Sequence, residues 1–287
     1  MARTPRTVVI TGANSGIGLE TAAALAAQGE RVIIGCRNAA KADAAVEEIR
    51  RRVPEALIDQ VPLDLASFES IRTAAASIVE ATKVVDVLIN NAGLILSRRA
   101  ETSEGFETQF GVNHLGHFLL TMLLEDRLKA AAEPRIVNVA SLAHWSAVGG
   151  LKFDNLQSIR HYNGWVAYGR SKLANVLFAK ELAERWGADG VVAHALHPGV
   201  VRTEFGQDGD TGGASALMVK AGEVITITPA EGARTSIYLA SAERARETNG
   251  GYWAASKPAR CAPWARDAAA AARLWDVSEQ LIEAGHP

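Results

Sequence analysis

Short apolar runs alternate with longer stretches of mixed apolar and polar residues along the chain, and this alternation predicts its fold. The short runs are rich in β-branched side chains, which is typical of buried strands, whereas the longer stretches have helical periodicity. Strands alternating with helices form parallel βαβ units, so the pattern predicts an α/β domain of about seven parallel strands with helices on both faces. We predict strands at 7–11, 31–36, 57–62, 84–90, 135–140, 191–196 and 251–254, and helices at 16–28, 39–52, 67–82, 103–130, 164–187 and 229–242.

The composition is that of a folded protein without an obvious charged partner. The 287 residues are 48% hydrophobic, which suits one large domain, and the net charge of −2 gives no electrostatic reason to expect nucleic acid. Cys36 and Cys261 are too few for a disulfide framework, which favours a reducing compartment. Because the first predicted strand begins within about seven residues, we expect no signal peptide or membrane anchor and a cytoplasmic protein.

Three glycines lie between the first predicted strand and the first predicted helix. Gly12, Gly16 and Gly18 have the spacing G-x-x-x-G-x-G, directly after the apolar run 7–11. Glycines at such a turn let the backbone approach a pyrophosphate, and the helix amino terminus offers free N–H groups and the positive end of its dipole. The pattern indicates a dinucleotide site, with a purely structural turn as the alternative.

Tyr168 and Lys172 are four residues apart in a predicted helix, so they share one face. A tyrosine is a weak acid with a reference pKa of about 10, and a nearby ammonium favours its phenolate. The pair therefore suits reversible proton transfer to and from an alcohol oxygen. Taken alone, the spacing also fits an ordinary pair on a surface helix.

With these motifs and others in the same order, nearly the whole chain resembles the short-chain dehydrogenase/reductase family. Residues 11–18 match the family's cofactor motif, 90–93 match its N-N-A-G motif, and 197–203 match the segment that closes over the nicotinamide. The resemblance implies a single Rossmann-like, doubly wound domain over residues 1–287. Its cofactor half covers about 1–135, and its catalytic and substrate half covers about 136–287.

The chain is more specifically similar to the retinol dehydrogenase-like branch, which includes WW-domain-containing oxidoreductases. The runs that carry this likeness are 35–38, 105–121, 171–182 and 197–203. The long separation of Ser141 from Tyr168 also fits this branch. Membrane-bound retinol dehydrogenases begin with a hydrophobic anchor, which we do not expect here, so the resemblance predicts a reaction class more firmly than it predicts retinol as the substrate.

The resemblance assigns a catalytic tetrad of Asn113, Ser141, Tyr168 and Lys172. Ser141 would hold the substrate oxygen, Tyr168 would transfer the proton, and Lys172 would lower the tyrosine pKa and bind the nicotinamide ribose. Asn113 would bend its helix and hold a water that links Lys172 to solvent. The residues also allow a turn serine at 141 and a satisfied core asparagine at 113. We interpret His114 and His117 as packing or surface residues and predict no metal site.

Cofactor contacts are implied for residues in several of the matched segments. An acidic residue at the end of the second strand would favour NAD(H), but this position holds Cys36, followed by Arg37, which can clamp a 2′-phosphate. We therefore expect NADP(H), with NAD(H) not excluded. Asp64 would accept from the adenine amino group or else cap a helix. The expected cofactor-binding residues are Gly12, Asn14, Ser15, Gly16, Ile17, Gly18, Arg37, Asn38, Asp64, Leu65, Asn91, Ala92, Gly93, Tyr168, Lys172, Pro198, Gly199, Val201 and Thr203.

Two irregular segments, 142–163 and 203–227, follow strands and are expected to wall the substrate pocket. Their side chains predict an apolar or aromatic carbonyl or alcohol substrate of moderate size. The sequence leaves open whether the chain forms a homo-oligomer. It also leaves open an alternative function, in which the chain is a non-catalytic regulatory protein that binds nucleotide on the same fold. The residues named for the pocket are Leu142, His144, Trp145, Phe205, Leu217 and Met218.

Overall fold

One eight-stranded sheet runs through the protein. The computed structural model describes residues 4–200 and 227–287. The strands are β1 Thr7–Thr11, β2 Arg31–Cys36, β3 Leu57–Pro62, β4 Val87–Asn90, β5 Arg135–Val139, β6 Val192–His197, β7 Tyr252–Ala254 and β8 Lys257–Pro258. Their order is β3-β2-β1-β4-β5-β6-β7-β8, and every pair is parallel except β7 with β8. The predicted doubly wound α/β fold is therefore confirmed.

Helices cover both faces of this sheet. One face packs against α1, α2 and α8 and the other against α3, α5, α7 and α9, so each side has its own apolar core. The helices are α1 Gly16–Ala27, α2 Ala39–Arg52, α3 Phe68–Ala81, α4 Thr108–Phe110, α5 Gly116–Leu123, α6 Glu125–Lys129, α7 Gly164–Trp186, α8 Pro229–Ser241 and α9 Ala268–Ala284. No helix among these described residues is both long enough and apolar enough to cross a bilayer.

The strand order reverses between β1 and β4, which places the binding crevice. Chain connections leave β1 toward β2 on one side and reach β4 on the other, so a gap opens at their carboxyl ends. Thr11 and Asn90 end these two strands, and the glycine turn and the N-N-A-G segment follow them directly. The fold thus brings the two predicted cofactor motifs to one place.

The predicted helix over 103–130 is wrong as a single element. The polypeptide first makes an antiparallel bridge between Glu101 and Glu107, and the Glu107 carboxylate then accepts from the Phe110 N–H and starts α4. A π-helical turn at Gly111–Leu115 separates α4 from α5. Such turns widen a helix locally and are frequent at functional sites. Asn113 lies in this turn.

Two elements at the carboxyl end were not predicted. β8 is a two-residue strand after a turn in which Ala255 and Ser256 have positive φ angles of 48° and 58°. Helix α9 begins at its cap Asp267, and its Trp275 ring lies 5.1 Å from the Phe118 ring. Its alanine-rich first half hides the apolar periodicity, although Leu274, Trp275 and Ser278 are buried on one face.

The N-cap of α7, the helix that carries Tyr168 and Lys172, offers a test of what stabilises the start of this helix. The Asn163 side chain accepts from the Val166 N–H at 3.0 Å. Asn163→Ala should lower the free energy of unfolding by about 1 kcal/mol, because an N-cap bond is worth about that much. Urea unfolding measures the change, and Asn163→Ser, which keeps a capping oxygen, is the matched control. Equal losses in both variants would contradict a capping role.

Candidate active site

The glycine turn is shaped by close backbone contacts. Gly12 and Gly16 have positive φ angles of 67° and 56°, which favour glycine. A Cβ at Gly18 would lie 2.4 Å from the Gly12 carbonyl oxygen, and one at Gly12 would lie 2.9 Å from the Ala92 Cα. Ser15, the N-cap residue of α1, makes no side-chain capping bond. The turn therefore fits the pyrophosphate of a dinucleotide, because α1 begins there with no side chain capping its first N–H groups.

Thr11 ties this turn to the N-N-A-G segment. Its hydroxyl oxygen accepts from the Asn91 and Ala92 N–H groups at 3.0 and 2.9 Å. The Asn91 side chain donates back to the carbonyl oxygens of Thr11 and Gly12 at 2.8 and 3.3 Å. Sequence reasoning placed Thr11 in a motif but gave it no role. Its hydroxyl is the junction between the two cofactor segments.

Lys172 is a buried ammonium and lies on α7 one turn after Tyr168. Its side chain is 3% exposed, and its Nζ donates to the Val139 carbonyl oxygen at 3.0 Å. A Cβ at Gly93 would lie 3.0 Å from this Nζ, so the glycine of the N-N-A-G segment leaves room for it. Burial lowers the pKa of the ammonium from 10.5 to about 8.

Tyr168 and Ser141 meet across the site. Burial raises the pKa of Tyr168 from 10.0 to about 12, and a side-chain hydrogen bond with Ser141 opposes the rise. Lys172 Nζ lies 5.7 Å from the centre of the Tyr168 ring. Desolvation of the phenolate is the largest cause of this net rise, and the expectation that the lysine lowers the tyrosine pKa stays a prediction.

Asn113 is fully buried, and its side-chain amide is satisfied on both sides. Its Oδ1 accepts from the Leu94 N–H at 2.8 Å, and its Nδ2 donates to the Leu94 carbonyl oxygen and to Ser171 Oγ, each at 2.9 Å. The same Oδ1 lies 3.2 Å from the position that a Cβ would take on Gly93. The structure thus brings the four predicted tetrad residues together around the N-N-A-G segment.

The end of β2 carries a thiol where an acidic side chain would favour NAD(H). Cys36 is buried, and burial raises the pKa of its thiol to about 11 despite hydrogen bonds from the backbone of Ala13 and Asn14. Arg37 follows at once and is exposed. The Asn38 side chain accepts from the Lys41 N–H at 2.9 Å and caps α2.

Asp64 and Leu65 follow β3 at the same edge of the sheet. The Asp64 carboxylate accepts from the Ala66 N–H at 2.9 Å, and its own N–H donates to Ser70 Oγ. This local turn is close to the capping alternative, although Ser67 is the residue that caps α3. Leu65 is buried beside Gly116, where a Cβ would lie 2.7 Å from the Leu65 carbonyl oxygen.

Only part of the segment expected to close over the nicotinamide is described. Pro198 follows β6, and Gly199 has a φ angle of 98° and donates from its N–H to His197 Nδ1 at 3.1 Å. Val201 and Thr203 lie outside the described residues. So do Phe205, Leu217 and Met218 of the expected substrate pocket.

The other expected wall of the pocket, 142–163, needs one correction. Leu142 and Trp145 are exposed, as pocket-lining residues require, but His144 is fully buried. Its Nδ1 lies 2.6 Å from the Ser141 carbonyl oxygen, and its Nε2 accepts from the Ala262 N–H at 3.0 Å. The first turn after Ser141 directs this imidazole into the core, where it is a structural link and not a wall.

Comparison with known proteins identifies the family. Residues 6–212 match the family model described as short chain dehydrogenase. The chain belongs to this family. It is 46% identical to retinol dehydrogenase 13 of Homo sapiens over 281 residues, which cover 96% of this chain and 84% of that protein. It is 44% identical to retinol dehydrogenase 12 of Homo sapiens over 277 residues, covering 96% and 86%.

Solved structures agree with this assignment. A crystal structure of an uncharacterized protein from Mycobacterium Paratuberculosis superposes with a TM-score of 0.77 at 37% identity, covering 97% of this chain and 93% of that one. The predicted resemblance to the retinol dehydrogenase-like branch is confirmed, and the short chain dehydrogenase is an oxidoreductase acting on CH–OH donors. As a member of this family it binds a nicotinamide dinucleotide.

The buried ammonium predicts an unusual dependence of stability on pH. Below pH 8 Lys172 is charged in both folded and unfolded states, and its burial destabilises the fold in full. Between pH 8 and 10.5 the folded protein binds fewer protons, so this penalty shrinks as pH rises. Lys172→Met should therefore raise the free energy of unfolding at pH 7 by roughly 1–3 kcal/mol, and the gain should fade by about pH 10.

Denaturant unfolding across this pH range measures the free energy of unfolding of wild type and of the variant. The titration of other groups cancels in the difference between the two free energies. Lys83→Met, at an exposed position, is the matched control and should show no such trend. A gain that stays constant from pH 7 to pH 10 would show that Lys172 does not titrate there.

Proposed function

We propose that the chain is an NADP(H)-dependent oxidoreductase that interconverts a carbonyl compound and an alcohol, with Tyr168 as general acid and base. The main support is the assembly of Ser141, Tyr168 and Lys172 at the carboxyl ends of the strands beside an uncovered helix amino terminus. The glycine turn, the N-N-A-G segment and the exposed Arg37 would hold the cofactor. The nicotinamide, when bound, supplies the hydride.

The protonation states of the two central groups favour proton donation by Tyr168. With a pKa of about 12 the phenol is neutral at pH 7, so it can give its proton to an oxygen on which negative charge develops. Ser141 shares a hydrogen bond with Tyr168 and would hold the same substrate oxygen. Lys172, still largely protonated at pH 7, would stabilise the phenolate that forms.

Exposed apolar side chains around Ser141 and Tyr168 support an apolar substrate. Leu142 and Trp145 follow Ser141 and are 48% and 42% exposed, and Trp165 is 39% exposed with its ring 5.9 Å from that of Tyr168. The relatives are named for retinol, an apolar alcohol. An apolar aldehyde or ketone and its alcohol, with retinaldehyde as one candidate, are therefore the proposed substrates, to be screened with NADPH and NADH.

Tyr168→Phe should lower the turnover rate by about 10²–10⁴-fold, because general acid–base groups contribute that much, while the Kd for NADPH hardly changes. Tyr162→Phe is the matched control. The Tyr162 hydroxyl makes hydrogen bonds with the side chains of Glu107 and Gln109, which lie outside the tetrad. Single-turnover rates and NADPH titrations on both variants make the comparison. A Tyr168→Phe enzyme with more than about a tenth of the wild-type rate would remove the tyrosine as proton donor.

A second pair of variants tests the cofactor preference. Arg37→Ala should weaken NADPH binding by roughly 10–100-fold, because a charge-assisted hydrogen bond to the 2′-phosphate contributes about 1.5–3 kcal/mol. The Kd for NADH should stay unchanged. Adding Cys36→Asp should turn the preference toward NADH, since a carboxylate accepts from a free 2′-hydroxyl and repels a phosphate.

The matched control is Arg51→Ala, which removes an exposed arginine of α2 that pairs with Glu48. It should leave both dissociation constants as they are. A wild-type protein that binds NADH as tightly as NADPH would overturn the role of Arg37, although the oxidoreductase assignment would remain.

A further inference from the structure

His117 is a buried imidazole that lies between the cofactor segments and the tetrad. It is 1% exposed, and both of its ring nitrogens have partners. Nε2 lies 2.8 Å from Thr11 Oγ1, and Nδ1 lies 3.1 Å from the Asn113 carbonyl oxygen. The sequence offered no reason to single it out, because neither a metal site nor a catalytic motif includes it.

The partners of the ring fix its tautomer. Thr11 Oγ1 already accepts from two backbone N–H groups, those of Asn91 and Ala92, so its own proton is directed at His117 Nε2. The Asn113 carbonyl can only accept, so His117 Nδ1 must carry the ring proton. A neutral Nδ1–H imidazole satisfies both bonds, whereas the other tautomer and the imidazolium would each place a proton against the Thr11 hydroxyl proton.

The two hydrogen-bond partners of His117, Thr11 and Asn113, hold different parts of the site. On one side, Thr11 joins the glycine turn to Asn91 and Ala92. On the other, Asn113 holds Leu94 through its side chain and lies beside Gly93, next to Lys172. His117 is therefore the side chain through which the end of β1 contacts the π-helical turn that carries a tetrad residue.

We propose that His117 is a positioning residue that, as a neutral Nδ1–H imidazole, holds the cofactor segments and Asn113 in register through one bond to each. The rate part of this inference rests on the proposed function; the binding part needs only the nicotinamide dinucleotide site of the family. His117 does not act as a proton carrier. Burial and the charge of Lys172 lower its pKa to about 3, so it stays neutral across the working range.

Two conservative variants separate the two bonds. An asparagine amide at 117 can take the place of Nδ1 and keep the bond to the Asn113 carbonyl. A glutamine reaches further and can take the place of Nε2, keeping the bond to Thr11. His117→Asn should therefore weaken NADPH binding about three- to tenfold and preserve the rate at saturating cofactor, whereas His117→Gln should do the reverse. His117→Phe should lose both.

His114, three residues before His117, provides a matched control. It is equally buried, but its Nε2 lies 2.9 Å from Ser278 Oγ on α9, and none of its described bonds reaches Thr11 or the Asn113 carbonyl. His114→Asn and His114→Gln should change thermal stability without a crossed effect on binding and rate. Such a crossed effect in the His117 variants cannot come from general destabilisation, which would lower both parameters together in either variant.

The experiment has an arm that requires no turnover. Nitrogen NMR of the wild-type protein labelled at histidine should show His117 protonated at Nδ1 and bare at Nε2 at pH 7, with cofactor Kd values measured by NADPH fluorescence. An Nε2–H tautomer, parallel losses in both variants, or no loss in either would overturn the proposal. If no carbonyl compound is reduced by wild type, the proposed function fails, and the tautomer and the Kd values still decide the role of His117 in binding.

Discussion

The burial of the Lys172 ammonium is the constraint on which the rest of the site depends. A charge with so little exposure is tolerated only where oxygen atoms accept from it and small residues make room. The Val139 carbonyl at the end of β5 accepts from Nζ, and Asn175 donates to the same oxygen at 3.2 Å. Gly93 provides the space on the opposite side. The ammonium can therefore be buried only where the end of β5, the N-N-A-G segment and α7 are all in their folded positions.

Close packing also determines the shape of the cofactor side of the site. Gly12 approaches Ala92, and Gly18 approaches the Gly12 carbonyl, so closely that neither glycine leaves room for a Cβ. The contact is held by the Thr11 hydroxyl, which uses all three of its hydrogen-bonding positions. Because the crevice opens where the sheet order reverses, these contacts place the uncovered backbone at the one edge where α1 can point its amino terminus at a ligand.

Much of the fold and of the site could be predicted from the sequence. The features that could not be predicted escaped for physical reasons that the following elements show. The β-branched runs and the glycine turn made the sheet predictable, because strands buried on both faces are short and apolar. The single helix expected over 103–130 was wrong because the π-helical turn at Gly111–Leu115 keeps the apolar pattern of a regular helix. His144 was misplaced because the sequence does not show on which side of a short turn a side chain lies.

Motif order predicted the tetrad residues, but it did not predict how burial shifts the pKa values of two of them. Spacing along a helix places an ammonium near a phenol, which suggests that the phenol becomes more acidic. Burial, which the sequence does not reveal, acts on both groups and in opposite directions: it raises the pKa of Tyr168 and lowers that of Lys172. The sequence also did not reveal the buried hydrogen-bond network around Asn113 and His117, because this network joins residues that are far apart in the chain.

The opposite shifts of the tyrosine and lysine pKa values leave both groups holding their protons at pH 7. At pH 7 a phenol with a pKa of about 12 holds its proton almost completely, and an ammonium with a pKa of about 8 is still largely charged. Positive charge near a phenol favours its phenolate, and Lys172, whose Nζ lies 5.7 Å from the centre of the Tyr168 ring, is a charge that the fold itself places there.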